Sequence, residues 1–555
     1  MESLESVANP TDADLAERYT AIDALLGESP REDAVRDAFS QWEDVRRRWT
    51  SYANVTRLRF AQDTAHDERR AAQRALDERL PRITALETST KERFLDAPAR
   101  TPLERTLGAH AFDVWSADVA SFNEAISADL IRESALKREY TEMLASATAP
   151  FGGEELTLSG LGAHLTASDR ETRHAAERAR WSIFASNAER LDAIYDELVH
   201  LRDGMAHTLG FDSYTTLRYR RMRRVDYGPP DVAAYRDEVV RTVVPLAREF
   251  VQRYGAAAGF ERVYSWDESV LSAGAKLAPI GDLDWTIARA KETLADLDPS
   301  LGAFGTALFD GGMFDVAYRP GKQRGAFCTD IPLRSSPFIF ANYTGRARDI
   351  TTLMHELGHA FQHWQSRDQR VLDYMYPTSE AAEIHSMALE YLSWPQMERF
   401  FGPAAGAYRR QHLLDAILFI PYGAAVDHFQ HMVYEHPGAS PSERHAMWQE
   451  VERRYLPWRD YGDLAYPAKG GLWQEKQHIY LSPFYYIDYT LALCCALQFW
   501  ERATADRESA LGAYVALCAR GGDAPFQTLA RSAGLRSPFE PGALEHVVSR
   551  VRAEL

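Results

Sequence analysis

Cysteine is scarce in this chain. Four occur in 555 residues: Cys328, the adjacent pair Cys494 and Cys495, and Cys518. They are too few for a disulfide framework and lack zinc-finger spacing. A reducing cytoplasm fits that usage. Long apolar runs are missing too. No stretch of about 18 apolar residues occurs, so no membrane span is expected. The N-terminus, MESLESVANPTDADLAERY, is acidic and lacks the apolar centre of a signal peptide. Basic charge is in deficit: 63 Lys and Arg stand against 80 Asp and Glu, a net charge of -17. That balance argues against nucleic acid or an acidic membrane surface as a partner. Internal repeats, low-complexity tracts and sustained coiled-coil heptads are absent as well. None of these features sets an oligomeric state.

What remains is an ordinary globular composition, 45% hydrophobic and 26% charged, in a chain long enough for a large core or several. Residues 12 to about 145 read as long helices rich in Ala, Leu, Glu and Arg. APFGGEELTLSG, at 149–160, reads as a loop from its Gly and Pro content. Ser168 with Glu171 suggests a capping box for the next helices, and Gly210 a helix terminator. The basic stretch YRRMRRVDYG is read as a solvated face sooner than a carboxylate-binding site. Between about 303 and 348 glycines gather, and Phe338, Ile339, Phe340 and Tyr343 have strand character. A small irregular β-sheet is expected there, either a template for an extended peptide or a support for the helix after it. After 365 the chain is helical again. The fold class is mainly α. Residues 1–150 form an N-terminal helical region and 151–555 a catalytic region, the two intertwined as one helical unit.

The segment TTLMHELGHAFQHW, 351–364, carries the chemistry. Leu353, Met354, Leu357, Ala360, Phe361 and Trp364 recur at helical spacing, and Asp349, just before the run, is placed to cap it. His355 and His359 lie one turn apart on one side. Glu356 projects about a quarter turn round. This is the H-E-x-x-H arrangement: two neutral imidazoles for zinc and a carboxylate to take a proton from water. His363 is read as a residue outside the ligand set, behind it or on the surface. A catalytic zinc wants three protein ligands and an open position. SEAAEIHSMALEYLSW, 379–394, offers Glu380, Glu383, His385 and Glu390. Glu383 and Glu390 share a face. One would bind zinc while the other holds a histidine ring by its free N–H; spacing does not decide which. Downstream, His478 comes after the glycines at 470 and 471, which would let the loop move. Tyr485, Tyr486 and Tyr489 lie beyond it at offsets of three and four.

HELGHAFQ followed by EAAEIHSMALEY resembles the zinc oligopeptidases of the thimet oligopeptidase and oligoendopeptidase F family, and its bacterial oligoendopeptidase branch more closely. GKQRGAFC, PFIFANYTG and QHIYLSPFYYIDY are similar too, so the resemblance runs from about 150 to the end. It implies a helical zincin-type fold with a deep channel between two helical halves, and one zinc per chain on His355, His359 and Glu383. It further implies Glu390 as the residue behind a histidine ligand, Glu356 as general base, and short peptides as substrates. His478 and the tyrosines would meet substrate and oxyanion. Tyr486 or Tyr489 ranks first for the oxyanion, and Tyr485 is assigned to substrate binding. The alternatives are a metallocarboxypeptidase or dipeptidyl carboxypeptidase of similar fold, or a non-catalytic binding protein whose structural zinc is closed by His363 or His385.

Overall fold

The computed structural model describes residues 7–28, 30–162, 164–271, 277–319 and 321–555. Helices dominate, as the composition implies. Their apolar faces meet in two main clusters. The smaller is built mainly by residues 15–115, joined by Val371 and Tyr374, with Trp115 in contact with Trp42, Phe94 and Phe112. The larger runs from Val55 to Val551. The helix Ser127–Ser146, inside the 1–150 region, packs into the larger cluster through Leu136, Tyr140 and Leu144.

Three expectations about local structure need correction. Residues 149–160 are not a plain loop: β1 (Thr148–Phe151) and β2 (Glu154–Thr157) form a hairpin, with a helical turn after it at Leu158–Leu161. The glycines first read as loop signals are its two-residue turn. Gly152 and Gly153 sit at φ 62° and 89°, which a turn matching the strand twist requires at both positions. Likewise residues 303–310 are helical, within Pro299–Asp310. At the next boundary the cap is Asp169, which accepts from the Thr172 N–H, rather than Ser168. Gly210 does end its helix, at φ 79°.

The anticipated sheet is present. It comprises β3 (Phe314–Ala317), β4 (Phe327–Ile331) and β5 (Ser336–Tyr343), in the order β3-β5-β4. β5 lies between a parallel and an antiparallel neighbour. Its residues Pro337–Ala341 are all buried, which explains the unbroken apolar run PFIFA. β4 pairs with β5 alone among the described strands, and so forms an edge. The long helix Glu32–Gln62 backs β4: the Asn54 side chain donates to the Asp330 carbonyl at 3.0 Å.

The motif helix, Ala347–Gln365, comes directly after β5. Asp349 was expected ahead of it and instead lies in its first turn. Its carboxylate reaches back to accept from the N–H groups of Arg346 (3.0 Å) and Thr344 (2.6 Å). These are donors a helix start otherwise leaves unpaired. The motif helix packs between β5 and the helix Ser379–Leu392, the glutamate helix. Two more helices frame the site: Ala405–Glu435, the crossing helix, and Tyr486–Ala505, the tyrosine helix.

Candidate active site

The motif and glutamate helices touch at Gly358. A Cβ built there would lie 2.6 Å from the His385 carbonyl oxygen and 2.7 Å from the Ser386 Cα. Only a hydrogen fits, and the close approach brings Glu383 up to the two histidines. Glu383 Oε2 is 3.2 Å from His355 Nε2 and 3.4 Å from His359 Nε2. One ligand atom from each of these three residues lies within 4.8 Å of the others. Among the described residues no fourth His, Cys, Asp or Glu joins them. Two imidazole nitrogens and a carboxylate oxygen converging from two helices suit zinc with one position open.

Two of the three donors, Glu383 and His355, are held from behind. Ser386 Oγ donates to Glu383 Oε2 at 2.9 Å, and the Tyr485 hydroxyl to Oε1 at 2.6 Å. Glu390 takes His355 Nδ1 at 2.7 Å, so that ring presents Nε2 forward. Opposite charge offsets burial: His359 and His355 hold the Glu383 carboxyl well below the usual carboxylate range.

Glu356 is 4% exposed, and its Oε2 has no hydrogen-bond partner. Burial raises its pKa, opposed by His355 and His359. A buried carboxylate oxygen left free beside a cluster of metal donors is the kind of group found at functional sites. Burial, and next the Glu356 charge, push the Cys328 thiol of β4 up, which puts that edge strand in the carboxylate's field.

The downstream residues assemble on the same side. The His478 ring stands 5.9 Å from Tyr485, 5.0 Å from Tyr486 and 6.0 Å from Tyr489. Burial and the Lys476 ammonium push the His478 pKa down to about 4, and Nδ1 lacks a partner. Tyr485 touches the ligand carboxylate, while Lys476 lies 4.8 Å above the Tyr486 ring. Tyr489 packs 5.1 Å from Tyr485, and burial followed by the Glu383 charge raises its hydroxyl pKa.

Other candidates stand apart. Glu380 is 1% exposed, with neither oxygen hydrogen-bonded, and Arg224 is the principal charge acting on it. His363 packs edge-on against Tyr376 at 5.6 Å. His385 is fully buried with both nitrogens free of partners. Neither histidine closes the donor set. Three supporting residues went unrecognised in the sequence. Ser386, three residues after Glu383, carried a helical-spacing signal. His412, which meets Glu390, and Trp394, which donates to His412, carried none, since these contacts form only when the crossing helix packs.

Comparison with known proteins places the chain in a family. The Peptidase family M3 profile matches residues 163–274 and 303–549, and the Peptidase M3 N-terminal domain profile residues 6–122. A crystal structure provisionally named oligoendopeptidase F is 39% identical, with TM-score 0.94, over 99% of this chain and 98% of its own. PZ peptidase A, solved with an inhibitor, is 36% identical with TM-score 0.94, over 99% and 98%. A chain from Bacillus anthracis str. Ames, also provisionally named oligoendopeptidase F, is 36% identical with TM-score 0.90, over 98% and 96%. A search of curated proteins gave no match. The helical architecture, the donor cluster and these likenesses converge: the chain is a metallo-oligopeptidase and belongs to peptidase family M3.

Proposed function

We propose that the protein is a cytoplasmic, zinc-dependent endopeptidase of short peptides, with Glu356 as its general base. The observation that carries this reading is the three-donor cluster with a buried, unpaired carboxylate oxygen beside it. His355, His359 and Glu383 would hold one zinc ion per chain, which when bound supplies Lewis acidity to the scissile carbonyl and to water. Glu356 takes a proton from the attacking water and passes it to the departing amine. Its raised pKa suits a group that must keep that proton between the two events. The peptide backbone adds to the open edge of β4, in keeping with the proximity of Cys328 to Glu356. His478, neutral at pH 7, and a tyrosine hydroxyl from the adjoining cluster donate to the carbonyl oxygen as it gains charge. A channel between the helical halves would restrict entry to short chains. No described helix is long and apolar enough to cross a membrane, and all four cysteines are free thiols, as a reducing compartment requires.

Glu356→Gln tests the reading. It should keep bound zinc and thermal stability while hydrolysis of a quenched fluorogenic peptide falls on the order of a thousandfold or more. Near-wild-type rates would remove Glu356 from this role. In the same assay a C-terminally amidated peptide should be cut as well as the free acid; amidation silences a carboxypeptidase.

A further inference from the structure

Behind the donor cluster runs a chain of hydrogen bonds whose far end has no assigned role. Trp394, two residues past the glutamate helix, donates its indole N–H to His412 Nδ1 at 3.1 Å. An indole nitrogen only donates, so Nδ1 accepts and the proton of His412 sits on Nε2. That N–H meets Glu390 Oε2 at 2.8 Å. The other Glu390 oxygen takes the Nδ1–H of His355 at 2.7 Å. The lone pair of His355 is thereby left on Nε2, the nitrogen facing Glu383. The indole sets the tautomer of His412, and the Glu390 carboxylate, which only accepts, sets that of His355.

The His412 ring is fixed in direction as well as tautomer. Tyr391 stacks on it at 4.6 Å with 3° between the planes, and Tyr408 and Trp394 flank it at 5.8 Å. His412 belongs to the crossing helix, so it reaches the glutamate helix from outside. Arg409, one turn earlier, ties the same two elements by donating to the Trp394 carbonyl at 3.0 Å. Without His412, a buried carboxylate oxygen of Glu390 would lose its donor and the carboxylate would be free to rotate away from His355.

We infer that His412 is a positioning residue for the metal centre: it clamps the Glu390 carboxylate, which in turn fixes the tautomer and aim of His355. The inference rests on the metal reading above. Outer partners of this kind are worth about 10–100-fold in metal affinity. His412→Phe keeps a flat ring for Tyr391 to stack on and removes the N–H. His412→Gln restores a donor. Zinc affinity, measured by competition with a chromophoric chelator, should weaken about 10–100-fold in the Phe variant and recover largely in the Gln variant. The thermal stability of the metal-free protein should stay near that of wild type in both. Unchanged zinc affinity in the Phe variant overturns the assignment. So does an equal loss in both variants with lowered metal-free stability, which marks a packing role. Glu383→Gln separates the two readings. If it also leaves zinc affinity unchanged, the metal centre is wrongly placed; if it alone loses zinc, only the role of His412 falls.

Discussion

Tyr485, Tyr486 and Tyr489 lie within five residues, yet their hydroxyls meet different partners. Tyr485 donates to Glu383, a proposed ligand. Tyr486 lies under the Lys476 ammonium, whose charge opposes the rise that burial imposes on its hydroxyl pKa. Tyr489 packs beside both Tyr485 and His478, and the charges of Glu383 and Glu356 both act on it. Phenylalanine keeps each ring and removes only the hydroxyl. Tyr485→Phe should therefore weaken zinc binding about tenfold or more, as loss of an outer partner does, seen by chelator competition. Tyr489→Phe should keep zinc and lose kcat on the order of a hundredfold with little change in KM, as loss of an oxyanion donor does. Steady-state kinetics at saturating zinc checks the second. A normal kcat in Tyr489→Phe would pass the oxyanion role to Tyr486 or His478.

The motif helix shows how much an element reveals before it folds. Its apolar spacing, the paired histidines and the carboxylate between them were all legible, because helical period and metal chemistry are local properties. By spacing alone the proposed third ligand was legible only as one of two glutamates, and it was the family resemblance that pointed to Glu383. Glu383 and Glu390 share a face, and the choice between them depends on where two helices touch, which no local pattern records. The touching point is Gly358, whose hydrogen lets the helix backbones close. Gly358→Ala should force them apart, at an overpacking cost of about 1–3 kcal/mol. Denaturant unfolding would show that loss, and metal analysis would show reduced zinc. The hairpin at 148–157 was misread for the opposite reason. Its glycines were seen, but β1 and β2 are four residues each, too short to show an alternating pattern. A strand pair so short is stabilised by the elements it lies on, chiefly the helix Arg170–Ser186. The cap at Asp349 was legible as a residue and misplaced by three positions, since a carboxylate serves a helix start from before it or from inside its first turn.

Between the motif and glutamate helices the chain leaves the larger core and enters the smaller one. Val371 and Tyr374 pack with the N-terminal helices. Asp373 accepts from Trp115 Nε1 at 2.9 Å and pairs with Arg46 and Arg223, each at 2.9 Å. Arg46 and then Arg223 hold its carboxyl well below the usual carboxylate range against burial. A carboxyl whose folded pKa lies below its unfolded value of about 4 stabilises fully above that value, and less as the pH falls through the folded one. Asp373→Asn should thus cost about 1.5–3 kcal/mol at pH 7, the worth of hydrogen bonds to a charged group, since Arg46 keeps Glu43 and Glu87 and Arg223 keeps Asp118. The gap to wild type should narrow as the pH drops below about 4, read by chemical denaturation across that range. The same excursion has a mechanical meaning. Residues 360–382 leave one proposed ligand, anchor in the N-terminal core, and return to another. A zinc ion at the site would therefore pin both feet of a bridge whose span rests on the second core. Coupling of this kind works equally in both directions. Stripping the ion with a chelator should quicken amide hydrogen exchange in the helix Glu32–Gln62, which holds no ligand, before the protein unfolds as a whole. Loosening the span should, in return, let the ion escape.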